Sequence, residues 1–167
     1  GLDSVLVRYV HVDQHEVTFH TDDEVYFGND GGIWRTTDFT AEQPFIYHRN
    51  NGYNVTQFYS ADINPIVANQ QVMGGTQDNG TPYAYDPGVA DFKMVSGGDG
   101  AFVAFNTNDA DKFYTASQLN KLFRFNNGGF ETPDTITNPN LNDGSVQFIN
   151  PFALDASDPE VLYWTSK

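Results

Sequence analysis

The chain has 167 residues, with 8 Lys+Arg against 22 Asp+Glu, a formal net charge of −14, no Cys, 39% hydrophobic residues and 15% aromatic residues. That length and apolar content suit one folded domain rather than a disordered tail, and the lack of Cys excludes a disulfide scaffold and Cys-ligated zinc. The acidic balance argues against a protein that tracks nucleic-acid phosphates, which needs a basic stripe, and no apolar run approaches the roughly 20 residues of a membrane span.

The acids are 17 Asp and only 5 Glu, and they are joined by 16 Asn and 15 Gly. Asp, Asn and Gly favour turns, because short polar side chains compete for backbone hydrogen bonds and Gly tolerates positive φ. With Val, Ile, Thr, Phe and Tyr plentiful and good helix formers scarce, the composition predicts an all-β protein with many tight turns. The start, Gly1-Leu2-Asp3, lacks the basic and apolar regions of a signal peptide.

In chain order, four stretches repeat one phrase: an Asp/Asn/Pro turn, a short apolar strand, then a small polar turn. They are Phe19 to Thr37, Ala61 to Thr81, Phe105 to Gly129, and Leu154 to Lys167. In the first and third, a second strand with an aromatic and an Arg follows, at Trp34-Arg35 and Phe123-Arg124. Phe27, Met73, Tyr114 and Tyr163 are read as matching positions, at separations of 46, 41 and 49 residues. Such a period fits a four-stranded propeller blade of about 40 to 50 residues. A β-sandwich is the competing reading, but it does not require the phrase to recur.

The expected fold is therefore an all-β partial β-propeller domain spanning 1–167, with approximate repeats 16–60, 61–104, 105–153 and an incomplete 154–167. At about 45 residues per blade the chain makes three to four blades, whereas closure takes about 4 to 8. The chain stops inside a repeat at Trp164-Thr165-Ser166-Lys167. The expectation is a piece of a larger ring, completed within the same chain or by another.

Several phrases occur together and in order: His11-Val-Asp-Gln-His15, Tyr26-Phe-Gly-Asn-Asp-Gly-Gly-Ile-Trp34, Gln57-Phe58-Tyr59, Gly74-Gly-Thr-Gln-Asp-Asn-Gly-Thr81 and Gly97-Gly-Asp-Gly100. Over about residues 10 to 165 the set resembles the sortilin-like, BNR (Asp-box) β-propellers of bacteria. The resemblance implies a ring of roughly seven to ten blades. It also implies a large secreted or surface protein, of a kind labelled glycosyl hydrolase or exo-sialidase. The Asp boxes depart from the family pattern: Thr36-Thr-Asp38-Phe-Thr-Ala keeps the Asp without the Gly and Trp, and Asn127-Gly-Gly129 has Asn for Asp. Only Arg8, Arg35, Arg49 and Arg124 are present, and Arg35 and Arg124 hold equivalent repeat positions, which points to a structural role. Sialidase chemistry with an arginine triad is not expected.

Asp30, Asp78 and Asp99 sit in Gly-bearing turns, where they close the turn. If turns from successive blades converge near a channel, two carboxylates gain acid and base roles on a glycosidic bond. Their separation then sets the outcome, about 5 Å for retention and 6.5 to 9.5 Å for inversion. With Asp13 these make up the catalytic candidates. His11, Asp13 and His15 are spaced by two, so an unbroken strand would put two imidazoles and a carboxylate on one face, a candidate site for a divalent metal. The alternative is that Asp13 anchors a turn or fixes a His tautomer. The turn carboxylates and carbonyls also suit Ca²⁺, though no cofactor is required. Asn138 to Gly144 alternates like a calcium loop, but its Gly is one place late and Ile149 stands where the bidentate Glu belongs. The ligand-binding candidates are Trp34, Gln77, Asp78, Asn79, Tyr83 and Tyr85, with the two tyrosines expected as an exposed pair.

Three functions compete on this reading. The first is an extracellular module binding glycan or protein ligands as part of a larger secreted or surface protein. The second is a glycoside hydrolase fragment using paired Asp carboxylates. The third is a structural subunit of a filament or surface layer, a homo-oligomer paired through open strand edges.

Overall fold

A computed structural model describes residues 9–53, 55–67, 71–85, 92–136 and 146–165. The calcium-like loop 138–144 lies outside them. No helix is present among the described residues, so none is long and apolar enough to cross a membrane. The chain divides into two compact units, Gly1–Val55 and Thr56–Lys167.

The first unit holds one antiparallel sheet of β1 (Gln14–Phe19), β2 (Val25–Asn29), β3 (Gly32–Thr36) and β4 (Tyr47–His48), paired in chain order. The second holds three. One is built from β5 (Phe58–Ile63), β6 (Val72–Thr76), β7 (Thr81–Ala84) and β8 (Phe92–Ser96). The next comprises β9 (Gly100–Phe105), β10 (Phe113–Ser117), β11 (Lys121–Phe125) and β12 (Asp134–Ile136). The last pairs β13 (Phe152–Leu154) with β14 (Leu162–Trp164). Every sheet is a meander of sequence neighbours, as short connections between antiparallel strands dictate.

The repeat is visible in the hydrogen bonds. After the first strand of each sheet, one amide bonds the carbonyl just before the second strand: His20 to Glu24 (2.8 Å), Asn64 to Gln71 (2.9 Å), Asn106 to Lys112 (2.9 Å) and Asp155 to Val161 (2.9 Å). The turn is held by a side chain. Asn64 Oδ1 accepts from the Ile66 amide (3.1 Å), and Asn106 Oδ1 accepts from the Asn108 and Asp109 amides (2.8 and 3.0 Å). Asp155 Oδ1 accepts from Ser157 and Asp158 (2.8 and 3.2 Å). In the first sheet Thr21 Oγ1 takes over, accepting from Asp23 and Glu24 (3.3 and 2.9 Å). These are the Asx and ST turns that the Asp/Asn-rich phrases predict.

Phe27 stands one position out of register with the other three residues. The residue equivalent to Met73, Tyr114 and Tyr163 is Tyr26, not Phe27. Tyr26 pairs with Arg35 as Tyr114 pairs with Arg124 and Met73 with Tyr83. A one-residue slip matters because neighbouring strand residues face opposite sides of a sheet. The two arginines are indeed equivalent and do structural work. Arg35 binds Glu24 (2.7 Å) and lies over the Tyr26 ring, while Arg124 binds Asp134 on the neighbouring strand (2.8 Å).

Within the second unit the sheets stack through their faces. Met73 and Tyr83 from one sheet pack with Val103, Phe105, Phe113 and Phe125 from the next. The opposite face of that next sheet, with Ala101, Tyr114, Ala116 and Leu122, packs against Phe152, Leu154, Leu162 and Trp164. The β9–β12 sheet is thus covered on both sides, and β10 is buried along its whole length. Burial raises the phenol pKa of Tyr114, with desolvation outweighing the opposing effect of Lys112. The first strands β5 and β9 run side by side as edges of their sheets. Ser60 Oγ accepts from the Val103 amide (3.0 Å) and an Asp62 oxygen accepts from the Phe105 amide (2.8 Å), which occupies donors that an edge strand would otherwise leave open. The approach demands glycine twice: a Cβ on Gly75 would strike the Ala101 carbonyl, and one on Gly100 the Gly80 carbonyl.

Candidate functional site

In the second unit the turns at one end of the sheets are bonded in series. The Gln77 amide donates to the Gln57 carbonyl (3.0 Å), and the Gly80 amide to the Gly98 carbonyl (2.8 Å). The Asp78 amide donates to Asp99 Oδ1 (3.0 Å), and the Asp99 amide to Gln118 Oε1 (3.0 Å). The Leu119 amide then reaches the Phe148 carbonyl (2.9 Å). Asp78 holds a left-handed backbone, φ 63°, which a short Asx side chain tolerates.

Asp78 and Asp99, placed in separate turns by the sequence, therefore meet. Tyr59 on β5 feels both charges: burial raises its phenol pKa first, and the negative charges of Asp99 and Asp78 raise it further. Gln77 and Asp78 are half-buried, and Asn79 is exposed with its Nδ2 donating to the Gln77 carbonyl (3.2 Å). The cluster offers carboxylate acceptors, amides and a phenol on a hydrogen-bonded turn frame, a set suited to hydroxyl-bearing ligands. One Asp99 oxygen already serves the Asp78 amide, so part of its capacity holds the frame. Gln118 carries no signal of its own in the sequence, because its role exists only through the Asp99 turn. Tyr59 is marked only by its place in Gln57-Phe58-Tyr59.

The tyrosine candidates separate. Tyr83 is 1% exposed, not on the surface; it faces the next sheet and donates to Gln71 Oε1 (2.8 Å). Burial pushes its phenol pKa well above the usual range. The expected exposed pair fails because the face of β7 that carries Tyr83 is covered by Phe105 and Phe113 of the next sheet. Tyr85 is half-buried between Tyr83 and Phe130, with Lys93 Nζ 5.6 Å from its ring centre.

In the first unit, β1 starts at Gln14 and Asp13 takes φ 57°, so the alternation that would align His11, Asp13 and His15 breaks before the strand begins. His15 Nε2 instead bonds Asp30 Oδ1, in the β2–β3 turn. Asp13 and Asp30 bring one carboxylate oxygen each within 4.8 Å. They would supply part of the roughly six to eight oxygens that Ca²⁺ takes. His11 lies against Gly31 and its Nδ1 contacts the Val12 carbonyl (3.1 Å). Trp34 Nε1 donates to Asn29 Oδ1 (3.1 Å), and the ring meets His48 edge-on at 6.1 Å, so it locks the hairpin. Asp38 accepts from Thr36 Oγ1 (2.7 Å) and the Phe45 amide (3.0 Å), closing its loop.

No known protein family matches the chain, and neither a curated protein nor a solved structure matches it.

Proposed function

We propose that the chain is a segment of a sortilin-like, Asp-box β-propeller and serves as an extracellular module that binds glycan or protein ligands at the turn end of its sheets. The observation that carries this reading is the bonded series of turns joining Asp78, Asp99 and Gln118. Three chain-ordered four-stranded meanders of matched register support the blade assignment, as do the stacked sheets with β5 beside β9. The remaining blades come from the same chain or another, and closure of that ring removes the open sheet edges. The module lies outside the cell, as part of a larger secreted or surface protein.

A glycan array probed with the intact chain tests the reading. Binding should fall in Asp78→Ala and Asp99→Ala; a glycan bound equally well by both variants overturns the proposed surface. The meeting of Asp78 and Asp99 also favours a second reading, hydrolysis of a glycosidic bond by the two carboxylates. That reading requires turnover that disappears in Asp78→Asn or Asp99→Asn, and it fails if both keep the wild-type rate.

A further inference from the structure

Three Asn-Gly pairs lie in described parts of the chain: Asn51-Gly52, Asn79-Gly80 and Asn127-Gly128. An Asn-Gly pair is prone to ring closure, because no Cβ on the glycine shields its amide nitrogen. Closure needs that nitrogen as the nucleophile, so an amide held in a hydrogen bond is protected.

The structure sorts the three pairs. The Gly80 amide donates to the Gly98 carbonyl (2.8 Å), and the Gly128 amide to the Asp111 carbonyl (2.8 Å). Both glycines are buried. Asn51 and Gly52 are exposed and occupy the centre of a turn closed by the Tyr53 amide on the Asn50 carbonyl (2.9 Å). Gly52 has φ 80°, the value for the third residue of a type II turn, where only the fourth residue's amide bonds across. Among the described residues the Gly52 amide has no partner, and the space where its Cβ would stand is open. The turn is fixed on one side, where Asn50 Oδ1 accepts from the Ile33 amide (2.8 Å) and Asn50 Nδ2 donates to the Gly31 carbonyl (2.7 Å).

We propose that Asn51 is a self-modifying site, converting through a succinimide to aspartate and isoaspartate while Asn79 and Asn127 are spared. The Gly52 nitrogen bonds to the Asn51 side-chain carbonyl carbon and loses its proton. The bond from that carbon to the amide nitrogen breaks, and ammonia leaves. Water then opens the ring at either carbonyl, giving aspartate or isoaspartate. The product adds a negative charge, and in the isoaspartate form an extra backbone carbon, in the segment that leads from the first unit to the second.

The test incubates the intact chain at mildly alkaline pH and maps its peptides by mass spectrometry, with isoaspartate read by its specific methyltransferase. The Asn51 peptide should convert about tenfold faster than those of Asn79 and Asn127, as the loss of a protecting hydrogen bond implies. In concentrated urea the three rates should converge, and in Asn51→Gln the native chain should gain no early isoaspartate. Equal rates at the three sites in the folded chain overturn the proposal, as does Asn79 or Asn127 leading.

Discussion

The sheet β9–β12 and the sheet β1–β4 share one wiring and differ in burial. In both, a Tyr on the second strand pairs with an Arg on the third, Tyr114 with Arg124 and Tyr26 with Arg35. Yet four of the six residues of the first strand β9 are buried, whereas all six of the matching first strand β1 are exposed. The sequences agree: Gly100-Ala-Phe-Val-Ala-Phe105 has no polar side chain, while Gln14-His-Glu-Val-Thr-Phe19 is mostly polar. What differs is the number of covered faces. A strand buried on both sides reads as an unbroken run of apolar and small residues rather than an alternating one. Turn chemistry sets the meander, and stacking sets the stability.

The sharpest way to break this comparison is to cut each sheet at an aromatic. Phe113 is fully buried, stacked on Phe125 at 4.6 Å and edge-on to Tyr83 and Phe105. Phe113→Ala should lose about 3 to 5 kcal/mol in urea unfolding. Phe19→Ala, at a residue 58% exposed, should lose less than about 1 kcal/mol. Similar losses at both sites would remove stacking as the source of the difference.

The turn caps come next. Asn106 is fully buried and holds the Asn108 and Asp109 amides, so Asn106→Ala should lose about 1 to 3 kcal/mol. Thr21→Ala, the exposed counterpart, should lose about 0.5 to 1 kcal/mol by the same unfolding measurement. The opposite ranking would show that the turns do not depend on their sheets.

Acid sharpens the comparison further. Bonds from the Ser157 hydroxyl, the Tyr163 phenol and the Ser157 and Asp158 amides hold the Asp155 carboxyl far below the usual range. A depressed folded pKa gives stability that is present above the unfolded value, about 3.9, and lost as the pH falls through the folded one. Melting temperature should therefore drop below about pH 4, and more gently in Asp155→Asn, which keeps an acceptor without the charge. Identical acid limbs would remove Asp155 from the account.

The smallest expected effect concerns the proposed surface. Desolvation and the charges of Asp99 and Asp78 together raise the Tyr59 phenol. Removing one charge, as in Asp99→Asn, should let Tyr59 ionise at lower pH in an ultraviolet titration. An unmoved Tyr59 would separate it from the two acids.

The repeated Asp/Asn turns were legible because a side chain bonding its own backbone two or three residues on needs nothing distant. The equivalence of Arg35 and Arg124 was legible for a related reason, since adjacent antiparallel strands keep a fixed register. Tyr26 rather than Phe27 holds the matching position because backbone pairing fixes the register, and two neighbouring aromatics on a strand point to opposite faces. Tyr83 is a second case: a Pro-bounded stretch reads as surface until Phe105 and Phe113 arrive from another sheet.

By itself the sequence determined the all-β class, the chain-ordered meanders and their turns, because these rest on contacts between residues a few places apart. Only the tertiary structure decided which faces are covered, that Asp78 meets Asp99, and that His15 turns to Asp30. Those outcomes depend on residues from different strands and turns arriving at one place, and no local preference encodes that.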